Sequence, residues 1–154
     1  MRMSDFVCRQ AILPSLTATS KEDVIRQMVQ SLANTGLFQP DEQEDIVRAI
    51  LRRELLGSTG IGKGVAIPHT KHGSVDRLVA TIAVTPNGVP FDSLDGEPVH
   101  LIVLLISPLD RPGEHLRALE NVSRNLKEDS NFKAALRNAT TREQICELLD
   151  KLDR

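Results

Sequence analysis

Four histidines, His69, His72, His100 and His115, are the residues of this 154-residue chain best suited to chemistry near neutral pH. Imidazole is the one side chain whose unperturbed titration falls there. His69 directly follows Pro68, which biases Ile67 towards an extended backbone and gives the imidazole a stiff approach at a strand end. On these residues alone His69 reads in two ways: a reactive group displayed beside a loop, or a solvent-exposed loop histidine. His69 and His72 also form a His-x-x-His pair. A His69/His72 metal protein is the minor alternative, because zinc needs three or four ligands and no Cys or carboxylate cluster adjoins the pair in sequence. No metal is expected.

Two more polar residues interrupt apolar stripes. Arg53 falls in line with Ile46 and Ile50, and His115 lies one helical turn before Leu119 and two before Val122. Each has a plain structural reading. Arg53 can snorkel past a helix end, and His115 can be a satisfied core histidine. Both nevertheless aim polar groups inward, which is costly unless partners are present. A histidine in the first turn of a helix also disfavours the imidazolium form, which suits a neutral hydrogen-bonding role near phosphate.

The stretch Gly57-Ser58-Thr59-Gly60-Ile61-Gly62-Lys63-Gly64 nearly matches a nucleotide-binding P-loop. That motif works only between a preceding strand and a following helix, with a hydroxyl after the lysine to hold magnesium. Here a helix precedes, a strand follows and Gly64 replaces the hydroxyl. The glycines are better explained by close backbone approach or by turning the chain.

The elements that must position these residues follow from periodicity. Ser20 caps a helix with Val24, Ile25, Met28 and Leu32 on one face, closed at Gly36. Pro40-Asp41 opens a second, with Asp41 and Glu44 as a capping box and Ile46, Val47, Ile50, Leu51 and Leu55 as the stripe. Ser58 to Gly64 reads as a loop, and Val65-Ala66-Ile67 as a short strand. Leu78 to Thr85 is a strand ending at the turn Pro86-Asn87-Gly88, and a second turn stands at Asp95-Gly96. Val99 to Ile106 is apolar on both faces, the pattern of a strand covered on two sides. Pro112 starts a helix through Leu126, Asn131 to Asn138 forms a short one, and Thr140 with Glu143 opens the last through Leu152. Helices at both ends with strands between them predict an α/β domain with helices packed on a sheet.

Composition excludes several classes. Four Phe and no Tyr or Trp leave no stacking platform for bases or sugars. A net charge of −2 lacks the basic surplus of a phosphate-backbone binder, so no nucleic-acid partner is expected. The apolar run Leu101 to Ile106 is far short of the ~20 residues that span a bilayer, so direct membrane insertion is not expected. The N-terminal stretch lacks a signal-peptide core, and the solitary Cys8 and Cys146 fit reduced thiols. A cytoplasmic domain is the expectation.

The segment from Arg53 through Glu54-Leu55-Leu56-Gly57-Ser58-Thr59-Gly60-Ile61-Gly62-Lys63-Gly64-Val65-Ala66-Ile67-Pro68 to His69 resembles the signature of enzyme IIA domains of the phosphoenolpyruvate-dependent phosphotransferase system, of the fructose/mannitol and nitrogen-regulatory type. Gly113-Glu114-His115-Leu116, followed by Leu119, is similar to that family's second histidine motif. The resemblance covers Ser4 to Leu152 as a single domain. It implies a mixed central sheet flanked by helices, and a phosphohistidine at His69 with His115 and Arg53 beside it as catalytic partners. The donor it implies is HPr or a nitrogen-branch phosphocarrier protein, and the acceptor in sugar uptake is a IIB domain. In nitrogen-regulatory members the output is instead binding to transporters, kinases or regulators. No cofactor is implied. Backbone amides of Gly60, Gly62 and Gly64, with the Thr59 hydroxyl, are the expected phosphoryl-binding loop.

The subtype signals diverge. Thr70-Lys71-His72 after the histidine looks more like sugar-transport members, whereas nitrogen-regulatory members commonly carry glycine there. The lack of a fused IIB or membrane domain in these residues is common among regulatory members.

Overall fold

The computed structural model describes residues 1–152. Its centre is one strand, β5 (Val99–Ser107), which pairs along both edges. On one edge β4 (Val79–Val89) runs antiparallel; on the other, β2 (Val65–Ala66) and β3 (His69–Lys71) follow one another parallel to it. The sheet is therefore mixed. A further strand, β1 (Gly60–Gly62), pairs antiparallel with β2. Ile67-Pro68 separates β2 from β3, yet the Pro68 carbonyl still accepts from Leu105 N–H at 3.0 Å. Proline costs the ladder only its own missing donor here.

Alternation along β5 gives each face its own helices. Ile102, Leu104 and Ile106 join the core under α1 (Lys21–Ala33) and α2 (Gln43–Leu55). Leu101, Val103 and Leu105 join the core under α3 (Pro112–Glu128), α4 (Ser130–Asn138) and α5 (Arg142–Leu152). The outer edge of β4 is covered by the N-terminal segment, with Cys8 N–H donating to Ala80 O at 2.7 Å and Leu13 N–H to Ile82 O at 2.9 Å. An edge that would otherwise invite another chain is thus capped. Among the described residues no helix is long and apolar enough to cross a membrane.

Several local expectations shift. Pro86-Asn87-Gly88 lies inside β4, at an irregularity between Val84 and Val89, where Gly88 takes a φ of 77°. A bulge absorbs these turn residues without ending the strand. Asp41 and Glu44 form no capping box: Pro40–Glu42 is a 3-10 turn leading into α2, and Glu44 pairs with Arg26 at 2.6 Å instead. α4 starts at Ser130, one residue before the expected Asn131, with Asp129 as its N-cap. At α5 the box is Thr141 with Gln144, one residue later than Thr140 with Glu143, since Gln144 N–H donates to Thr141 Oγ1 at 3.2 Å and Gln144 Oε1 accepts from Thr141 N–H at 3.3 Å. Ser20 caps α1 as predicted, accepting from Asp23 N–H, and Pro112 occupies the first turn of α3.

The stripe of α2 also changes. Leu55 is 87% exposed, whereas Glu54 is only 8% exposed. Ile46, Val47, Ile50 and Glu54 are the buried face. A carboxylate holds a core position at the end of this helix.

Candidate functional site

His69 opens β3 opposite Leu105 of β5. Facing residues in a ladder share a side of the sheet, so His69 lies on the α3 side, with Leu105. Two residues further along β5, Ser107 lies on the same side, opposite Lys71 of β3. His115, from the first turn of α3, comes down onto this pair. It is 5% exposed, and its Nδ1 lies 2.5 Å from Ser107 Oγ. The two imidazole rings stand 5.3 Å apart between centroids at an angle of 58°. Residues forty-six apart in sequence thus meet because β5 and α3 are consecutive and pack on one another.

The His69 ring is fixed by its own strand. Nδ1 lies 2.7 Å from the Ile67 carbonyl, which can only accept, so Nδ1 carries the proton and Nε2 keeps its lone pair. Burial is the main force holding the His69 pKa below its ordinary value, and the charge of Arg53 acts in the same direction; the Ile67 carbonyl and Glu54 oppose them. His115 is pushed down to about 4, first by burial and then by His69 and Lys71. Both rings are therefore neutral near pH 7.

Arg53, half-buried in the last turn of α2, donates from Nη1 to the Gly57 carbonyl at 2.9 Å. That bond uses one of five guanidinium donors and leaves most of the fork unclaimed by it. The structure thus gathers His69 and His115, with Arg53 close enough for its charge to bear on His69.

In the glycine-rich segment, several polar groups have partners within the chain. Gly60 N–H donates to Ser58 Oγ at 3.0 Å, Lys63 N–H to Asp95 Oδ2 at 2.9 Å, and Thr59 N–H to Glu54 Oε2 at 2.9 Å. These amides are already engaged. Glycine at position 60 is needed for close packing, because a Cβ there would sit 2.5 Å from Ser93 Oγ. Gly62 and Gly64, with φ of 99° and 79°, turn the chain from β1 into β2. Thr59 is buried and its hydroxyl donates to Glu54 Oε1.

His72 goes elsewhere. Its Nδ1 accepts from Ser74 N–H at 3.1 Å, which leaves the ring proton on Nε2, and Nε2 lies 2.5 Å from Asp45 Oδ2 on α2. His69 faces α3 while His72 faces α2, so the structure does not assemble a His69/His72 ligand pair. Glu42, Asp45 and His72 do bring one ligand atom each within 4.8 Å of one another. Asp45 is exposed and Glu42 half-buried, and exposed acidic groups commonly gather in this way without an ion. His100 is half-buried, with Nδ1 3.1 Å from the Thr85 carbonyl, a structural placement.

Sequence reasoning misses Glu54: its spacing, four after Ile50 and seven after Val47, fits the buried stripe, but the apolar Leu55 beside it claims the position.

Comparison with known proteins places this arrangement. Residues 6–152 match the family described as "Phosphoenolpyruvate-dependent sugar phosphotransferase system, EIIA 2". The chain belongs to that family, a phosphotransfer module. It is 34% identical over 134 residues to a nitrogen regulatory protein of Bradyrhizobium diazoefficiens, covering 86% of this chain and 85% of that one. It is 31% identical over 154 residues to the fructose-specific EIIABC component of Bacillus subtilis, spanning all of this chain but 24% of that protein. The crystal structure of the nitrogen regulatory protein IIA-Ntr from Neisseria meningitidis superposes with a TM-score of 0.84 at 27% identity, covering 96% of this chain and 98% of that one. Relatives of both the sugar-transport and the nitrogen-regulatory kind thus share the fold and the phosphocarrier family.

Proposed function

We propose that this chain carries a phosphoryl group on Nε2 of His69, taken from a phosphohistidine of HPr or a nitrogen-branch phosphocarrier and passed to a IIB domain. One observation carries the reading: the Ile67 carbonyl claims Nδ1, so the only ring nitrogen of His69 with a lone pair is Nε2. In the step, Nε2 attacks phosphorus as the donor's P–N bond breaks, and the donor imidazole leaves with that electron pair. Neutral imidazole is both a competent nucleophile and, once phosphorylated, a good leaving group, so the reaction runs in either direction. His69 keeps the Nδ1 proton throughout, and the Ile67 carbonyl stabilises the positive charge that builds on the ring.

Charge on the three phosphoryl oxygens of a loose transition state calls for positioned donors rather than covalent help. Arg53 supplies guanidinium N–H groups. His115 supplies one more: in this reading the Ser107 hydroxyl donates to Nδ1, which leaves the His115 proton on Nε2 for the phosphoryl oxygens. Leu55, Leu56, Leu94, Leu109 and Leu116 are exposed, and several adjoin Arg53, Gly57 and His115 in sequence, as befits a surface that receives proteins.

A second reading keeps the same chemistry but ends in regulation: the phosphorylation state of His69 sets which transporter, kinase or regulator the chain binds. The likeness to nitrogen regulatory proteins favours it, whereas Thr70-Lys71 after His69 resembles the sugar-transport members. Incubation with phosphoenolpyruvate, enzyme I and HPr tests the shared step, with an acid-labile phosphate expected on the chain and none on His69→Ala. Transfer onward to a IIB domain supports the first reading. Partners captured by only one phosphorylation state support the second. Acid-labile label taken up by His69→Ala at the parent's level overturns both.

A further inference from the structure

The Glu54 carboxylate is the one acidic group drawn into the α2 core face, and a buried carboxylate is retained only where its partners compensate desolvation. Its partners are three. Thr59 N–H donates to Oε2, the Thr59 hydroxyl donates to Oε1, and Lys21 Nζ lies 3.4 Å from Oε2. Lys21 is itself held, 3.6 Å from Asp92 Oδ2 and 4.9 Å from the centre of the Phe91 ring. Glu54, Thr59 and Lys21 thus hold one another without any ligand.

The bonds then continue towards the site. The Thr59 carbonyl accepts from Ile67 N–H at 3.0 Å, and the Ile67 carbonyl takes His69 Nδ1 at 2.7 Å. Four residues, Glu54, Thr59, Ile67 and His69, thus form an unbroken series of hydrogen bonds that crosses from the end of α2 through the approach to β1 to the reacting ring. We infer that Glu54 is a positioning residue for His69, acting through Thr59 and Ile67, with the Lys21 ammonium as its anchor. The inference rests on the proposed role of His69.

Two consequences separate this role from mere stability. The first is geometric. Loosening Thr59 lets the Ile67 peptide rotate, and the carbonyl that fixes the His69 tautomer loses its aim. Misplacing a reacting group by about 1 Å can cost about a hundredfold in rate. The second is electrostatic. The charges bearing on the His69 ring are Arg53, which disfavours imidazolium, and Glu54, which favours it; His115 beside it is neutral near pH 7. Removing the Glu54 charge therefore moves the His69 titration further downward.

The test uses the full chain with Glu54→Gln, Thr59→Val and the double variant Lys21→Met/Glu54→Gln, which removes both charges of the pair together. Imidazole nitrogen NMR reads the tautomer and titration of His69, and single-turnover phosphorylation by phospho-HPr reads transfer. Glu54→Gln is expected to lower the His69 pKa, weaken the Nδ1–H preference and slow transfer by about tenfold to a hundredfold. Thr59→Val is expected to slow transfer without moving the titration as far. The double variant is expected to recover thermal stability but not the His69 titration or the transfer rate. A His69 titration and tautomer in Glu54→Gln equal to the parent's overturn the inference. So does a double variant that restores both, since the defect would then be one of folding alone. The NMR arm needs no phosphoryl donor; a parent chain that takes up no phosphate counts against the proposed function instead.

Discussion

His69 opens β3 and His72 follows directly after its last residue, yet the molecule treats them in opposite ways. His69 has one nitrogen fixed by the Ile67 carbonyl, and its ring lies beside the neutral ring of His115. His72 has both nitrogens occupied, Nδ1 by Ser74 and Nε2 by Asp45, and ties β3 to α2 as a strut. Hydrogen bonding to His72 is the main cause that holds the Asp45 carboxyl below its ordinary range. The difference lies in partners, not residue type. A histidine becomes reactive when exactly one lone pair is left over, and the alternation of the strand decides which of the two meets α3.

The largest effect that would break this comparison is at His69 itself. His69→Gln is expected to abolish phosphoryl uptake, while His72→Gln leaves the transfer rate unchanged and lowers the melting temperature; a label lost with His72→Gln would reverse their roles. Next in size is Arg53→Lys. A lysine keeps the charge but not the planar fork, and loss of one positioned donor costs about a hundredfold in transition-state stabilisation. Single-turnover rates with stability measured alongside check this, and a rate near the parent's would remove Arg53 from the site.

A third prediction concerns pH. His115 titrates at about 4 in the folded chain against an ordinary 6.5, so between those values the unfolded chain binds more protons than the folded one. Stability contributed by the neutral ring is present above pH 6.5 and is lost as pH falls towards 4; His69 shifts in the same direction. Denaturant midpoints from pH 7.5 to 4 should fall more steeply for the parent than for His115→Asn. Equal slopes would show that burial does not keep this ring neutral. The smallest expected effect is at Leu56 and Leu116, where serine substitutions should weaken capture by phospho-HPr at low concentration and leave the saturated transfer rate unaltered.

Much of this was legible in the residues. The double-sided apolarity of Val99 to Ile106 announced a strand with helices on both faces, and Pro68-His69 announced a histidine with a stiff approach. The inward place of His115 followed from helical spacing. What spacing did not reveal was partnership across elements. Glycine density at positions 60 to 64 reads as an open loop, but Gly60 serves a backbone packed on Ser93 and a strand paired with β2. Glu54 looked like one more charge at a helix end because its compensation comes from Lys21, thirty-three residues earlier, and from Thr59 beyond the helix. Capping boxes drifted by a residue or vanished where tertiary ion pairs, such as Arg26 with Glu44, took the side chain first.

The central claim is that Nε2 of His69, and no other imidazole nitrogen, receives the phosphoryl group. Nitrogen NMR of the chain labelled in its histidines, recorded before and after reaction with phosphoenolpyruvate, enzyme I and HPr, tests it most directly. One phosphorus-coupled resonance is predicted, belonging to Nε2 of His69, with Nδ1 still protonated. Coupling at Nδ1 of His69, or at a nitrogen of His72 or His115, would contradict it.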